Sequence, residues 1–359
     1  MTQAPLRLLM FNLMTDVNDP VLGFTTAWIQ ELAKHCVCID VITMYQGELD
    51  LPEHVQVFSA GREKGLSKPR RMLNFYRHLV HLISRNHYDV CFAHMMPLFA
   101  GLGGPLLKLR GIDTVLWYTH RQKSSQLKLG MQMSWRVVTA VSSSFPYKTD
   151  KLRVIGHGID TNFFAPNPQH AQAITPPNVI QVARLASIKH QDTTIQAIAG
   201  TDAQLTIVGD VQPNYPTPYR RELEALVSEY HLEDRVTFTG DLNAQAVRDA
   251  YHQATLAVNM SPVGLFDKAA LESMACGIPT IVANPEFAEL MGDYVELLTV
   301  KSPQDVDGLQ ARINQLLALS DAERRAIGVV LRDNVAKRYS LSHLTQQLVS
   351  VLQTGEILA

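Results

Sequence analysis

Residues 261–283 read SPVGLFDKAALESMACGIPTIVA. The apolar run just before them, 256–260, predicts a strand, and TIVA at the end predicts another. Between the two lies a short helix, stopped by Gly277 and Pro279. The helix opens with Asp267 and Lys268 and carries Glu272 about one turn further in. A helix start offers unpaired N–H groups and positive dipole to an anion, and Glu272 could accept from both hydroxyls of a diol. Asp267 has two readings, a helix cap worth about 1 kcal/mol or a ligand group that accepts from sugar hydroxyls. It repels phosphate, so as a ligand group it faces the sugar end. The two roles can coexist.

The strand–helix–strand unit repeats in both directions along the chain. Strands are expected at 6–14, 36–44, 55–60, 89–95, 113–120 and 137–142, with helices at 23–35, 69–85 and 98–110. Several of these strands are unbroken apolar runs, as in a parallel sheet covered on both faces. After the proline-rich stretch 163–178, the best linker candidate, the alternation restarts. It runs through strands 178–185, 203–210 and 235–240 and helices from 191, at 219–230 and at 244–252. From 302 the pattern is helical only. The expected fold class is α/β, with two Rossmann-like doubly wound domains facing across a cleft. Ligands in such sheets bind beyond the carboxyl ends of the strands.

The length, 359 residues, exceeds one ordinary core. An apolar share of 46% without an apolar run of roughly 18 residues reads as a soluble globular chain. The N-terminus, MTQAPLRLLMFNLM, reads as a first strand rather than a signal peptide. Cys36, Cys38, Cys91 and Cys276 form no CxxC pair, which argues against disulfides and structural zinc and fits a reducing cytoplasm. The net charge of −2 is uneven: residues 1–158 hold 18 basic and 11 acidic residues, the remainder 14 and 23. Two units with different partners are expected. The slightly acidic whole and the lack of a recognition motif argue against nucleic acid.

Common nucleotide and hydrolase motifs are absent. No GxGxxG follows a strand, and GLGGPLLKLRG (101–111) breaks the spacing at Leu106. There is no Walker A sequence, GxSxG elbow or HExxH. His78 and His81 lack a third ligand nearby and read as one face of a basic helix; no metal site is expected.

Three further clusters stand at strand ends. In VARLASIKH (182–190), Arg184 and Lys189 bracket a turn and suit a diphosphate, although the pair alone reads as two solvated surface charges. In LWYTHRQ (116–122), an apolar strand ends in Thr119, His120 and Arg121. In GHGIDTNFF (156–164), two glycines flank His157 and Asp160 follows, which suits a close backbone approach or a crossing between domains. The first half also carries seven basic residues and one Glu across 61–87, including Arg70, Arg71 and Arg77. Met72, Phe75, Tyr76, Leu79, Val80 and Ile83 make an apolar stripe there, read as facing the core. A second basic stretch, 121–136, has four basic residues and no acid. This charge suits an anionic acceptor or an anionic membrane surface.

Together these segments resemble the retaining, nucleotide-sugar-dependent glycosyltransferases of the GT-B architecture, family 4 (glycosyl transferases group 1). VIGHGIDTNFF is similar to the family's viPNGvD...F, VARLASIKH to its vGRL...KG, and ALESMACGIPTIVA to its llEAMAcGvPVVa. TIVGD and RVTFTGDL resemble the next two family strands. The order and spacing hold over nearly all of the second half; the first half matches more loosely.

The resemblance implies domains at 1–165 and 175–339, with the terminal helix 340–359 packing back on the first. Apolar residues at 341, 344, 348 and 352 permit that packing. It implies that Arg184 and Lys189 neutralise the donor diphosphate and that Glu272 holds the ribose. His120 would lie by the transferred sugar, and Gly23 would let the first loop approach the diphosphate. Arg121, Arg70 and Arg71 fall on the acceptor side. No cofactor or divalent metal is implied; the nucleotide-diphosphate sugar is the substrate, and the acceptor is a glycan or lipid-linked. The site is cytoplasmic, with peripheral contact on the inner face of an anionic membrane. Transfer retains the anomeric configuration, by front-face attack within an ion pair, and the implied pathway is cell-envelope or exopolysaccharide synthesis.

One departure stands out. The family motif has two glutamates with seven residues between them, the first contacting the donor sugar. Here Gly264 stands eight residues before Glu272, and the glycine expected three residues later is Asp267, followed by Lys268. In this G-x-x-D-K variant Asp267 or Lys268 is expected to take over the donor-sugar contact beside Gly264; otherwise donor choice differs or activity is lost, which leaves two further readings, a nucleotide-sugar epimerase and a non-catalytic nucleotide-sugar-binding protein.

Overall fold

The computed structural model describes residues 5–19, 22–167, 174–211 and 218–358. The chain forms two compact units, 1–158 with 341–359, and 159–340. The crossing at 158–159 precedes the proline-rich 163–178, of which 168–173 lie outside the described residues. Ile159 already belongs to the second unit: its N–H donates to Tyr339 O at 2.8 Å.

The first unit runs β1 (Leu6–Thr15), α1 (Phe24–Ala33), β2 (Cys36–Gln46), β3 (Val55–Ser59), α2 (Lys68–Arg85), β4 (Val90–His94) and α3 (Pro97–Leu109). It continues with β5 (Asp113–Trp117), α4 (Ser125–Met133), β6 (Arg136–Thr139) and β7 (Leu152–Val154). Its sheet is parallel in the order β3-β2-β1-β4-β5-β6-β7. Alternate residues of β1 enter opposite cores, Leu8 and Met10 on one face, Leu9 and Phe11 on the other. That is why the strand reads as an unbroken apolar run.

The second unit runs β8 (Asn178–Val182), α5 (Gln191–Ala199), β9 (Gln204–Val208), α6 (Tyr219–Glu229), β10 (Val236–Gly240) and α7 (Ala244–His252). Then come β11 (Leu256–Asn259), α8 (Lys268–Ala275), β12 (Thr280–Val282), α9 (Val295–Leu298), α10 (Val306–Ala318) and α11 (Asp321–Tyr339). Its sheet is parallel in the order β10-β9-β8-β11-β12. The last helix, α12 (Leu341–Thr354), belongs to the first unit, where Leu344 and Leu348 join the core that contains Trp28 and Trp117.

Two expectations change, and the expected helix over 98–110 accounts for a third stretch. The strand expected at 113–120 ends at Trp117, so His120 stands in the loop beyond it. The 121–136 stretch, read only as basic, contains α4, capped where Leu127 N–H donates to Ser124 Oγ at 3.0 Å. The glycines of 101–111 lie mostly inside α3, and side chains on Gly101 and Gly104 would strike Leu129 and Met133 of α4.

Candidate functional site in the second unit

In the second sheet the strand order reverses between β8 and β11. A crevice opens at such a switch point, outside the carboxyl ends of the two strands. The loop after β8 carries Arg184 and Lys189, and the loop after β11 leads into α8. Two buried glutamines shape the first loop: Gln181 Nε2 donates to Lys189 O at 2.8 Å and Gln191 Nε2 to Arg184 O at 3.0 Å. His190, left-handed at φ 50°, then turns the chain into α5.

Lys189 crosses to the second loop. Its Nζ lies 2.7 and 2.6 Å from the two carboxylate oxygens of Asp267 and 3.2 Å from Ser261 Oγ. Asn259 Nδ2 donates to the same carboxylate at 3.2 Å, and Ser261 Oγ also donates to it. Asp267 therefore does not cap α8. It occupies the N-cap position with extended backbone (φ −75°, ψ 134°), but its side chain makes no capping hydrogen bond. Its carboxylate is spent on Lys189.

Lys268 and Glu272 are both half-buried on α8. Burial pushes the Glu272 carboxyl up to about 7 and the Lys268 ammonium down to about 7; each charge partly offsets the other's shift. A half-buried carboxyl group one turn into the helix is suited to accept from ligand hydroxyls.

The far end of α8 is fixed. Gly277, at φ 76°, closes it with N–H bonds to Met274 O at 2.9 Å and from Ile278 N to Ser273 O at 3.1 Å. A side chain on Gly328 of α11 would collide with the Gly277 carbonyl. Arg332 Nη1 donates to Ala275 O at 2.9 Å and Phe164 O at 2.8 Å.

Gly264, where the resemblance expects glutamate, is buried at φ 88°, a region that disfavours any side chain. Its N–H meets Glu286 Oε2 at 3.3 Å, and the buried Asn284 holds the same oxygen at 3.1 Å. A carboxylate thus reaches this loop from beyond β12, which spacing around Glu272 did not reveal.

Lys189 and the start of α8 are brought together. Arg184 is exposed, and its guanidinium has no hydrogen bond or ion pair among the described residues. Sequence reading missed Gln181, Gln191, Asn259, Ser261 and Asn284. Gln181 and Asn259 did carry a signal, a polar residue inside or ending an apolar strand run.

The other expected residues, Asp160 excepted, lie in the first unit. His120 is exposed, its Nδ1 accepting from Gln122 N at 3.1 Å, and Arg121 is exposed beside it. Gly23 begins α1, where a Cβ would meet Asp19 O and Val17 O; the chain's own turn demands the glycine. On α2, Arg70 and Arg77 are exposed, but Arg71 turns back to Met44, with Nη1 3.7 Å from its sulfur. Val80 leaves the expected core stripe and is 50% exposed, as is Leu73 at 69%. Asp160 serves a local turn, accepting from Asn162 N and Phe163 N at 3.1 and 3.0 Å. His157 is buried, its ring centre 6.2 Å from that of Trp117. Among the described residues no group of three or more His, Cys, Asp or Glu is placed to hold a metal ion. No helix among them is long and apolar enough to cross a membrane.

Residues 166–328 match the model of the family described as glycosyl transferases group 1. That match falls wholly within the second unit, 159–340. The chain is also similar to curated proteins. A GDP-mannose-dependent alpha-mannosyltransferase of Mycolicibacterium smegmatis is 27% identical over 206 residues, 56% of this chain and 51% of the relative. A GDP-mannose-dependent alpha-(1-6)-phosphatidylinositol dimannoside mannosyltransferase of Mycobacterium tuberculosis is 33% identical over 139 residues, 35% and 34% of the two chains. The chain spans about half the length of the first and about a third of the second. Among solved structures, Anabaena Alr3699/HepE in complex with UDP superimposes with a TM-score of 0.74 at 17% identity, covering 97% of this chain and 100% of that one. This likeness gives the fold, GT-B, with two Rossmann-like parallel-sheet domains. The matched residues include Arg184, Lys189, Asn259, Ser261, Gly264, Asp267, Lys268 and Glu272.

Proposed function

We propose that this chain is a retaining glycosyltransferase that moves a sugar from a nucleoside-diphosphate donor to a glycan or lipid-linked acceptor in cell-envelope or exopolysaccharide synthesis. The observation that carries the reading is the meeting of Lys189, the start of α8 and Glu272 at the switch point of the sheet that the group 1 family model matches. In this reading the diphosphate binds Lys189, Arg184 and the α8 amides, and the ribose hydroxyls donate to Glu272. These groups stabilise the charge that develops on the leaving nucleotide. The bond from the anomeric carbon to the β-phosphate oxygen breaks, the acceptor oxygen attacks from the same face, and its proton passes to the departing phosphate. His120 is the first unit's candidate for the transferred sugar, with Arg121 and Arg70 on the acceptor side. The relatives' printed names support a GDP-linked donor and a phosphatidylinositol-type acceptor as the first to try, and the HepE complex supports UDP.

The test is incubation with a panel of nucleotide sugars, with the anomeric configuration of the product read by NMR. Transfer, or slow hydrolysis, with retention is expected. Inversion removes the retaining assignment. Interconversion of donors without transfer favours an epimerase, and binding without turnover a non-catalytic sugar-nucleotide receptor.

A further inference from the structure

We propose that the Asp267 carboxylate is an internal stand-in for the donor's phosphate, latching Lys189 until a nucleoside diphosphate displaces it. The inference rests on the donor-site reading above and names a residue that sets the affinity of that site.

Three observations carry it. Asp267 stands at the N-cap of α8 but leaves the helix uncapped, turning its carboxylate onto Lys189 instead. The contact is built from more than two residues, since Ser261 and Asn259, both almost fully buried, also donate to the carboxylate. The side chains of Lys189 and Asp267 are only 11% and 19% exposed, so water screens the pair little.

A phosphate oxygen seeks the same partners, an ammonium, a hydroxyl and the amide end of a helix. A diphosphate cannot share them with a carboxylate of like charge. Donor binding therefore costs the breaking of the Lys189–Asp267 pair. Arg184, exposed and unpaired among the described residues, is the cation still available to meet the incoming phosphate. The latch makes the Asp267 position a determinant of nucleotide affinity, opposite in sign to a sugar contact.

The experiment is calorimetric titration of UDP, GDP, UDP-glucose, GDP-mannose and the parent nucleosides into the full chain, comparing wild type, Asp267→Asn, Lys189→Met and the double variant. Circular dichroism confirms that each is folded. Asp267→Asn should tighten the better-bound diphosphate by about fivefold or more, the low end of typical coupling between competing ligands. Nucleoside binding should not change. Lys189→Met should weaken diphosphate binding, and adding Asp267→Asn to it should give no gain. A folded Asp267→Asn variant that binds the diphosphate no tighter than wild type overturns the latch. So does one that loses affinity only for the sugar-bearing donor, which returns Asp267 to a sugar contact. Should wild type and every variant fail to bind either diphosphate, the donor site itself is refuted and the latch with it; binding by wild type with no gain in Asp267→Asn refutes the latch alone.

Discussion

Lys268 and Glu272 lie four residues apart on α8 and are displaced in opposite directions by the same burial. The raised Glu272 carboxyl costs stability as pH climbs from the ordinary glutamate range to about 7, because the folded state holds a proton that the unfolded chain has released. The lowered Lys268 ammonium acts the other way round: stability returns as pH rises from about 7 towards the ordinary lysine range. The pair should therefore contribute a shallow minimum in stability near neutrality. Urea unfolding of wild type and of Lys268→Met/Glu272→Gln across pH 5 to 9 checks this. The wild-type curve should dip relative to the variant near pH 7, and parallel curves would contradict the assignment. At this scale the sequence was only partly informative. Type and spacing marked Glu272 as a candidate, and Lys189 only once the family resemblance was added; the direction of the Asp267 side chain depends on Ser261 and Asn259 across a loop, which spacing does not encode.

Elements were more legible than residues. Continuous apolar strands, alternating helices and the Gly277 stop placed α8 between two parallel strands, because helix termination and sheet burial are local properties of sequence. The close approach of α11 at Gly328, which seats α8, has no local signature. On α2 the apolar stripe was legible in Phe75, Leu79 and Ile83 but not in Val80, which faces water with Leu73 among Arg70, Arg77 and Arg85. This exposed face is basic and apolar together, the combination that suits an anionic membrane surface. If that face meets a membrane, the wild-type chain should co-sediment with phosphatidylglycerol but not with neutral vesicles, and charge reversal by Arg70→Glu and Arg77→Glu should remove that co-sedimentation. Unchanged sedimentation would assign the charge to solvation alone.

Across the whole molecule, charge and topology divide the chain in the same place. The basic first 158 residues and the acidic remainder correspond closely to the two units, and each unit builds its own parallel sheet with a strand-order reversal. The return of α12 to the first unit was legible from its leucine spacing together with the family resemblance, not from spacing alone. The account depends on one physical event, the capture of a pyrophosphate by Lys189, Arg184 and the amide end of α8. A crystal structure with UDP or GDP measures it directly. The account predicts Lys189 released from Asp267 and within hydrogen-bond distance of a phosphate oxygen, with Glu272 accepting from the ribose hydroxyls. A nucleotide bound with Lys189 still on Asp267, or with its ribose away from Glu272, would contradict it.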